Sequence, residues 1–110
     1  NNHLGVPLTL MDEPHQPAAF CIELGMSAPG ENEALASIVR PNVGIVTSVA
    51  LEHLEFMGSL AAIVDAELEV ATHIQPGGAL VIPGDDADIA RALAKIGESR
   101  GGTLPFQVLR

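Results

Sequence analysis

Positive charge is what this sequence has least of. Its 110 residues hold five Lys and Arg against fourteen Asp and Glu, a net charge of -9, and Arg40 is the only such cation before Arg91. So few cations cannot neutralise a phosphate backbone, which excludes nucleic acid as a partner. An anionic ligand would have to be held by backbone N–H groups, by a bound cation or by a neighbouring segment. No apolar run approaches the roughly 20 residues of a membrane span, so no membrane partner is expected. The single cysteine, Cys21, lies in the apolar run AAFCIEL. That setting predicts a buried thiol rather than a nucleophile or a disulfide partner, and fits a reducing, cytoplasmic location. A GxxxxGK(S/T) phosphate loop is missing, and the only lysine is Lys95. GESRGG is glycine-rich but follows a helical pattern, the wrong order for such a loop. There is no Cys/His spacing for zinc and no Ser/His/Asp order for nucleophilic catalysis. The opening NNHLGVP has no Met and no signal peptide, which predicts an excised piece of a longer chain.

What is present is globular: 47% hydrophobic and 17% charged residues in a length that suits one domain. Four short apolar stretches predict buried strands: AAFCIEL (18–24), VGIVTSV (43–49), GALVIP (78–83) and LPFQVL (104–109). Helical patterns alternate with them. GENEALASIVRP puts Leu35, Ile38 and Val39 on one face and stops before Pro41. Residues 58–74 carry Leu60, Ile63, Val64, Leu68 and Ala71 at helical spacing, with Ser59 as N-cap. DDADIARALAKIG predicts a third helix, ended by Gly97, and GVPLTLM a short one started at Pro7. The alternation predicts an α/β fold in three layers, a mostly parallel sheet with flanking helices covering both faces.

Ligands of such sheets collect at the carboxyl ends of the strands. There the sequence places a rim of acids with one histidine: Glu23, then Glu52, His53 and Glu55, then Asp85 and Asp86. A few carboxylates with an imidazole suit Mg2+, which fills its other positions with water and phosphate oxygens. The structural alternative is that Asp85 and Asp86 cap the following helix and that Glu52 and Glu55 are solvated. Glu23 differs, being reached directly from a strand and followed by Gly25, where a partner can approach closely.

Read in order, NNHLGVPLTL, IELGMSAPGENEALASIVRPNVGIVTSVALEHLEFMGSL and GGALVIPGDD resemble the central ATPase domain of the Mur ligases over roughly residues 1–90. The resemblance is to the branch that adds D-alanyl-D-alanine to UDP-N-acetylmuramoyl tripeptide in peptidoglycan synthesis. It implies an ATP- and Mg2+-dependent ligase that activates a carboxylate as an acyl phosphate, with nucleotide and UDP-sugar peptide as partners. By the same resemblance Glu23 and His53 are the catalytic magnesium ligands, and Asn1, Asn2 and Asp85 lie at the nucleotide. Residues 1–110 would then be part of a central domain, with the phosphate-loop segment upstream and other domains of the same chain on either side. A -9 chain without that loop is expected to bind nucleotide weakly by itself.

Two departures from the pattern stand out. The lysine that family members carbamylate falls, counted from HLE, on Glu67, and the asparagine of the adenine turn falls on Pro83. They leave two readings open: a ligase of the cell-wall pathway, or a diverged, non-catalytic module that keeps the α/β core. A phosphate loop upstream of Asn1 favours the first.

Overall fold

The computed structural model describes residues 2–12, 17–49, 57–84 and 86–110. Three strands, β1 (Val43–Ile45), β2 (Ala79–Val81) and β3 (Gln107–Leu109), form a parallel sheet in that order. Val43 is opposite Ala79 and Ala79 opposite Gln107; Ile45, Val81 and Leu109 align in the same way. Parallel neighbours need long crossovers, and here each is helical. The first carries α3 (Leu60–Glu67) and a 3-10 segment (Leu68–His73), the second α4 (Ala87–Ser99). Two further helices, α1 (Gly5–Met11) and α2 (Glu31–Val39), precede the sheet. This is the α/β class with flanking helices that the alternating pattern predicts.

Side chains alternate across a strand, so Gly44, Leu80 and Val108 share one face. That face holds the main core, in which fully buried Leu80 joins Val64, Leu68 and Ala71 from the first crossover and Ile89, Ala92 and Leu93 from the second. On the opposite face Val43, Ile45 and Leu109 are exposed, so among the described residues the expected helical cover of both faces is present on one only. α2 packs mainly on the 3-10 segment, with Asn32 and Leu35 buried and Asn32 Nδ2 donating to the Ala66 carbonyl of α3.

Local signals position the helix starts well. Ser59 Oγ accepts from the Ala62 N–H at 3.2 Å, and Asp86 Oδ1 accepts from Asp88 N–H at 2.8 Å and Ile89 N–H at 3.3 Å. Such caps stabilise a helix by about 1 kcal/mol each. Their far ends differ from expectation. The helix after Ser59 tightens to 3-10 geometry at Leu68, and α4 continues beyond Gly97 to Ser99. Its true stop is the pair Gly101 and Gly102, at φ 86° and 99°, where Gly102 N–H returns to the Gly97 carbonyl at 2.8 Å. On α2, Leu35 is buried but Ile38 is 48% exposed, so the inner face is turned toward Asn32 and Ala36. α1 begins at Gly5, two residues before Pro7.

The stretch 18–24 is not a strand. Ala18, Ala19, Phe20, Cys21 and Glu23 are exposed, and Ile22 and Leu24 only partly covered. Apolar, β-branched character makes a strand only where a neighbour completes the hydrogen-bond ladder, and β1 pairs among the described residues with β2 alone. The predicted burial of Cys21 fails for the same reason, since its thiol is exposed.

Candidate functional site

Of the rim residues, Glu23 and Asp86 are described, and Asp86 serves as the cap of α4; of the nucleotide candidates, Asn2 is described; Asn1, His53 and Asp85, with Glu52 and Glu55, lie outside the described residues. Glu23 is exposed near the end of the stretch 18–24, which forms no regular element. Asn2 turns its Oδ1 back to the N–H groups of Leu4 and Gly5, both at 3.0 Å, and so fixes the entry to α1. The same residue lines an open cleft of about 380 Å³ together with Gly25, Met26 and Ser27. The opening motif and the loop that follows Glu23 therefore meet in space, although more than twenty residues separate them.

That loop is tied down at three points. Met26 is 8% exposed and packs with Met57, Ile63 and Ala66 in a second, small core against α3. Glu31 Oε2 accepts from the Ser27 N–H at 2.6 Å and the Ala28 N–H at 3.3 Å. These two backbone bonds, Ser27 first, hold the Glu31 carboxyl below its ordinary value of 4.5; desolvation pulls weakly the other way and the charge of His3 helps to lower it. The third tie comes from afar. Glu69, in the 3-10 segment, accepts from Gly30 N–H at 2.8 Å and 3.0 Å through its two oxygens, and from Glu33 N–H at 3.3 Å.

A pH dependence follows from Glu31. A carboxyl lowered on folding contributes stability that is present above its unfolded pKa and is lost as pH falls through the folded one. Exchange of the Ser27 and Ala28 amides, corrected for the intrinsic pH effect, is expected to stay slow above pH 4.5 and to accelerate only below it. Acceleration already at pH 6 would contradict this assignment.

Glu67, the last residue of α3, is half-buried, as its place at the border of the apolar stripe predicts. Its acidic neighbours have separate tasks. Asp65 Oδ1 lies 2.9 Å from Arg91 Nη2 and its Oδ2 3.4 Å from Lys95 Nζ, bracing α3 against α4. Burial pushes the Asp65 carboxyl up, but the Arg91 hydrogen bond and the charges of Arg91 and Lys95 together outweigh it, and the carboxyl sits below its usual range. Glu69 is engaged with α2.

Among the described residues, no group of three or more His, Cys, Asp or Glu side chains is placed to hold a metal ion. Glu23 fits magnesium as far as one exposed, hard oxygen ligand can, because the ion takes few protein carboxylates. The roles of Glu31, Asn32 and Glu69 were not foreseen. The first has a local signal in the acid-rich GENE turn; the other two reach across more than thirty residues and have none.

A family model described as the Mur ligase middle domain matches residues 1–104. The UDP-N-acetylmuramoyl-tripeptide–D-alanyl-D-alanine ligase of Bacillus subtilis is 34% identical over 86 residues, 78% of this chain and 19% of the relative. Its counterpart in Escherichia coli is 34% identical over 88 residues, 80% and 20%. The crystal structure of MurF from Acinetobacter baumannii superimposes with a TM-score of 0.81 at 29% identity, covering 98% of this chain and 22% of that one. The chain spans about a fifth of the length of the curated relatives it matches.

Proposed function

The chain belongs to the Mur ligase family, through the middle domain matched by residues 1–104, and from that premise we propose that it is part of the central domain of a cytoplasmic, ATP-dependent ligase that joins D-alanyl-D-alanine to UDP-N-acetylmuramoyl tripeptide. The observation that carries the reading is the cleft that Asn2 lines with Gly25, Met26 and Ser27, two residues beyond Glu23 in the chain, in a fold that matches MurF. In the proposed reaction the tripeptide carboxylate takes the terminal phosphoryl group of ATP, with ADP leaving. The dipeptide amine then attacks the acyl carbon, phosphate departs with the bonding pair, and the amine loses a proton. Magnesium, when bound, supplies the positive charge that this crowding of phosphate and carboxylate oxygens requires.

The chain's own contribution is placement. Glu23 is proposed to offer an oxygen ligand to magnesium, with His53 as its companion, and Asn1, Asn2 and Asp85 are proposed to lie along the nucleotide. Glu31 and Glu69 occupy the loop's amides, so Ser27, Ala28 and Gly30 are not available to cradle phosphate. With a net charge of -9, the phosphate grip is proposed to come from a GxxxxGK(S/T) loop outside these residues.

The test is phosphate release by the full-length gene product. Release from Mg-ATP is expected only when UDP-N-acetylmuramoyl tripeptide and D-alanyl-D-alanine are both present, with the pentapeptide product appearing in equal amount. No product from a full-length protein that carries an intact phosphate loop would overturn the ligase reading in favour of the non-catalytic module, which Glu67 and Pro83, at positions of an expected lysine and asparagine, would then explain.

A further inference from the structure

α2 begins without a side-chain cap of its own. Gly30 occupies the N-cap position at φ 87° and has no side chain to offer, so the first N–H groups of the helix need partners from elsewhere. Glu69 supplies them from 39 residues away, with one carboxylate spanning Gly30 N–H and Glu33 N–H. In the same first turn of α2, Asn32, only 3% exposed, donates its Nδ2 to the Ala66 carbonyl at 3.1 Å. The two fastenings fall on residues 66 and 69, on either side of Glu67. On the α2 side they hold the end of the loop that starts at Glu23 and lines the cleft with Gly25, Met26 and Ser27. One junction therefore joins the loop that follows Glu23 to the end of α3, where Glu67 lies.

We propose that Glu69 is a positioning residue: it clamps the Gly25–Gly30 loop to the end of α3 and so fixes the distance between the Glu23 end of the rim and Glu67. Its effect on catalysis rests on the ligase reading; the clamp itself does not. Three features favour this over an ordinary surface contact. The hydrogen bonds are charge-assisted and use both oxygens, which gives direction as well as strength. They land on a helix start that has no cap of its own. They also act alongside a buried amide and the small core around Met26, so the loop is held at several points and has little freedom once the carboxylate is in place.

The experiment uses the full-length gene product with Glu69→Ala and, as the conservative variant, Glu69→Gln, assayed well below the unfolding temperature of each. Amide exchange of residues 25–33 is expected to quicken about tenfold or more in Glu69→Ala and less in Glu69→Gln, with the β2 amides unchanged. In the ligation assay kcat is expected to fall about tenfold in Glu69→Ala with little change in KM for the dipeptide, and to recover in part in Glu69→Gln. A helix cap with no positioning role would lower the unfolding temperature and leave kcat intact, and that result overturns the proposal. Unchanged exchange at residues 25–33 overturns it as well. If the parent protein ligates nothing, the ligase reading fails, and exchange alone then decides the clamp, upheld by a rise confined to residues 25–33 and refuted by none.

Discussion

Full-length protein carrying Glu67→Lys is expected to ligate faster than its parent when bicarbonate is supplied, by roughly tenfold to a hundredfold, the range seen when an outer partner of a metal site is lost or restored. The position is the one at which the family resemblance places a carbamylated lysine. In this chain the residue closes α3, half-buried, between the Ala66 carbonyl that Asn32 holds and the Glu69 carboxylate that holds α2. A carboxylate at this place has the sign of a carbamate but a shorter reach, because a lysine carries its charge several bonds farther from the backbone. The substitution should therefore lengthen the arm without disturbing the clamp. Carbon-13 bicarbonate gives an independent reading, since the variant should show a carbamate resonance that the parent lacks. Omitting bicarbonate should remove most of the gain. Equal rates for parent and variant, with the carbamate visible, would mean that Glu67 lies away from the reacting groups.

The neighbouring acids are each bound to another element. Asp65 is braced by Arg91 and Lys95, and Glu69 by the start of α2, so changing either would loosen a helix contact as well as the charge. Exposed ion pairs of the Asp65 kind contribute about 0–1 kcal/mol. Glu69 acts through backbone N–H groups, and its loss is felt as movement of a loop.

How far the sequence could be read depended on distance along the chain. Ser59 and Asp86 were recognisable as caps because each satisfies N–H groups two or three residues on, and the strands at 43–45, 79–81 and 107–109 stood out because their apolar runs are bounded by turn residues. AAFCIEL misled because its composition describes what a strand needs, while the ladder that makes it one must come from another segment. Gly97 misled because glycine inside a helix and glycine after a helix look alike until the positive φ of Gly101 and Gly102 is known. Motif order reached further than periodicity did, since it identified the family before any packing was visible. The Glu69 cap had no local trace, because a glutamate in a helical turn carries no mark of the backbone it will meet 39 residues away.

Replacing Gly78 with alanine is expected to cost about 3 kcal/mol or more, a large share of the roughly 5–15 kcal/mol that separates a folded domain from its unfolded chain. Gly78 lies immediately before β2, where three segments converge. Its N–H donates to the Gln75 carbonyl at 3.0 Å, its carbonyl accepts from Gln107 N–H at 3.0 Å, and the next residue, Ala79, donates to the Asn42 carbonyl at 3.0 Å. A Cβ at Gly78 would run into the Asn42 carbonyl oxygen and come within 2.9 Å of both the Gln75 oxygen and Ile74 Cγ2. Two of these three obstacles are backbone carbonyls already bound to N–H groups, so neither can retreat without opening the entry to β2. Gly44, on the buried face of β1, makes the control. A Cβ there would meet Ile74 Cδ1 at 3.0 Å and Leu80 Cδ1 at 3.3 Å, the far ends of two flexible side chains that can turn aside, and the expected cost is about 1 kcal/mol. Urea unfolding of both variants separates the cases. Gly78→Ala should move its midpoint far down, while Gly44→Ala shifts its midpoint modestly. Because the loops of the rim leave from the carboxyl ends of β1 and β2, the Gly78 variant should also lose whatever activity the intact protein has, in proportion to its unfolded fraction. Equal costs at the two positions would show that the backbone at Gly78 yields as easily as a side chain, against the contacts described here.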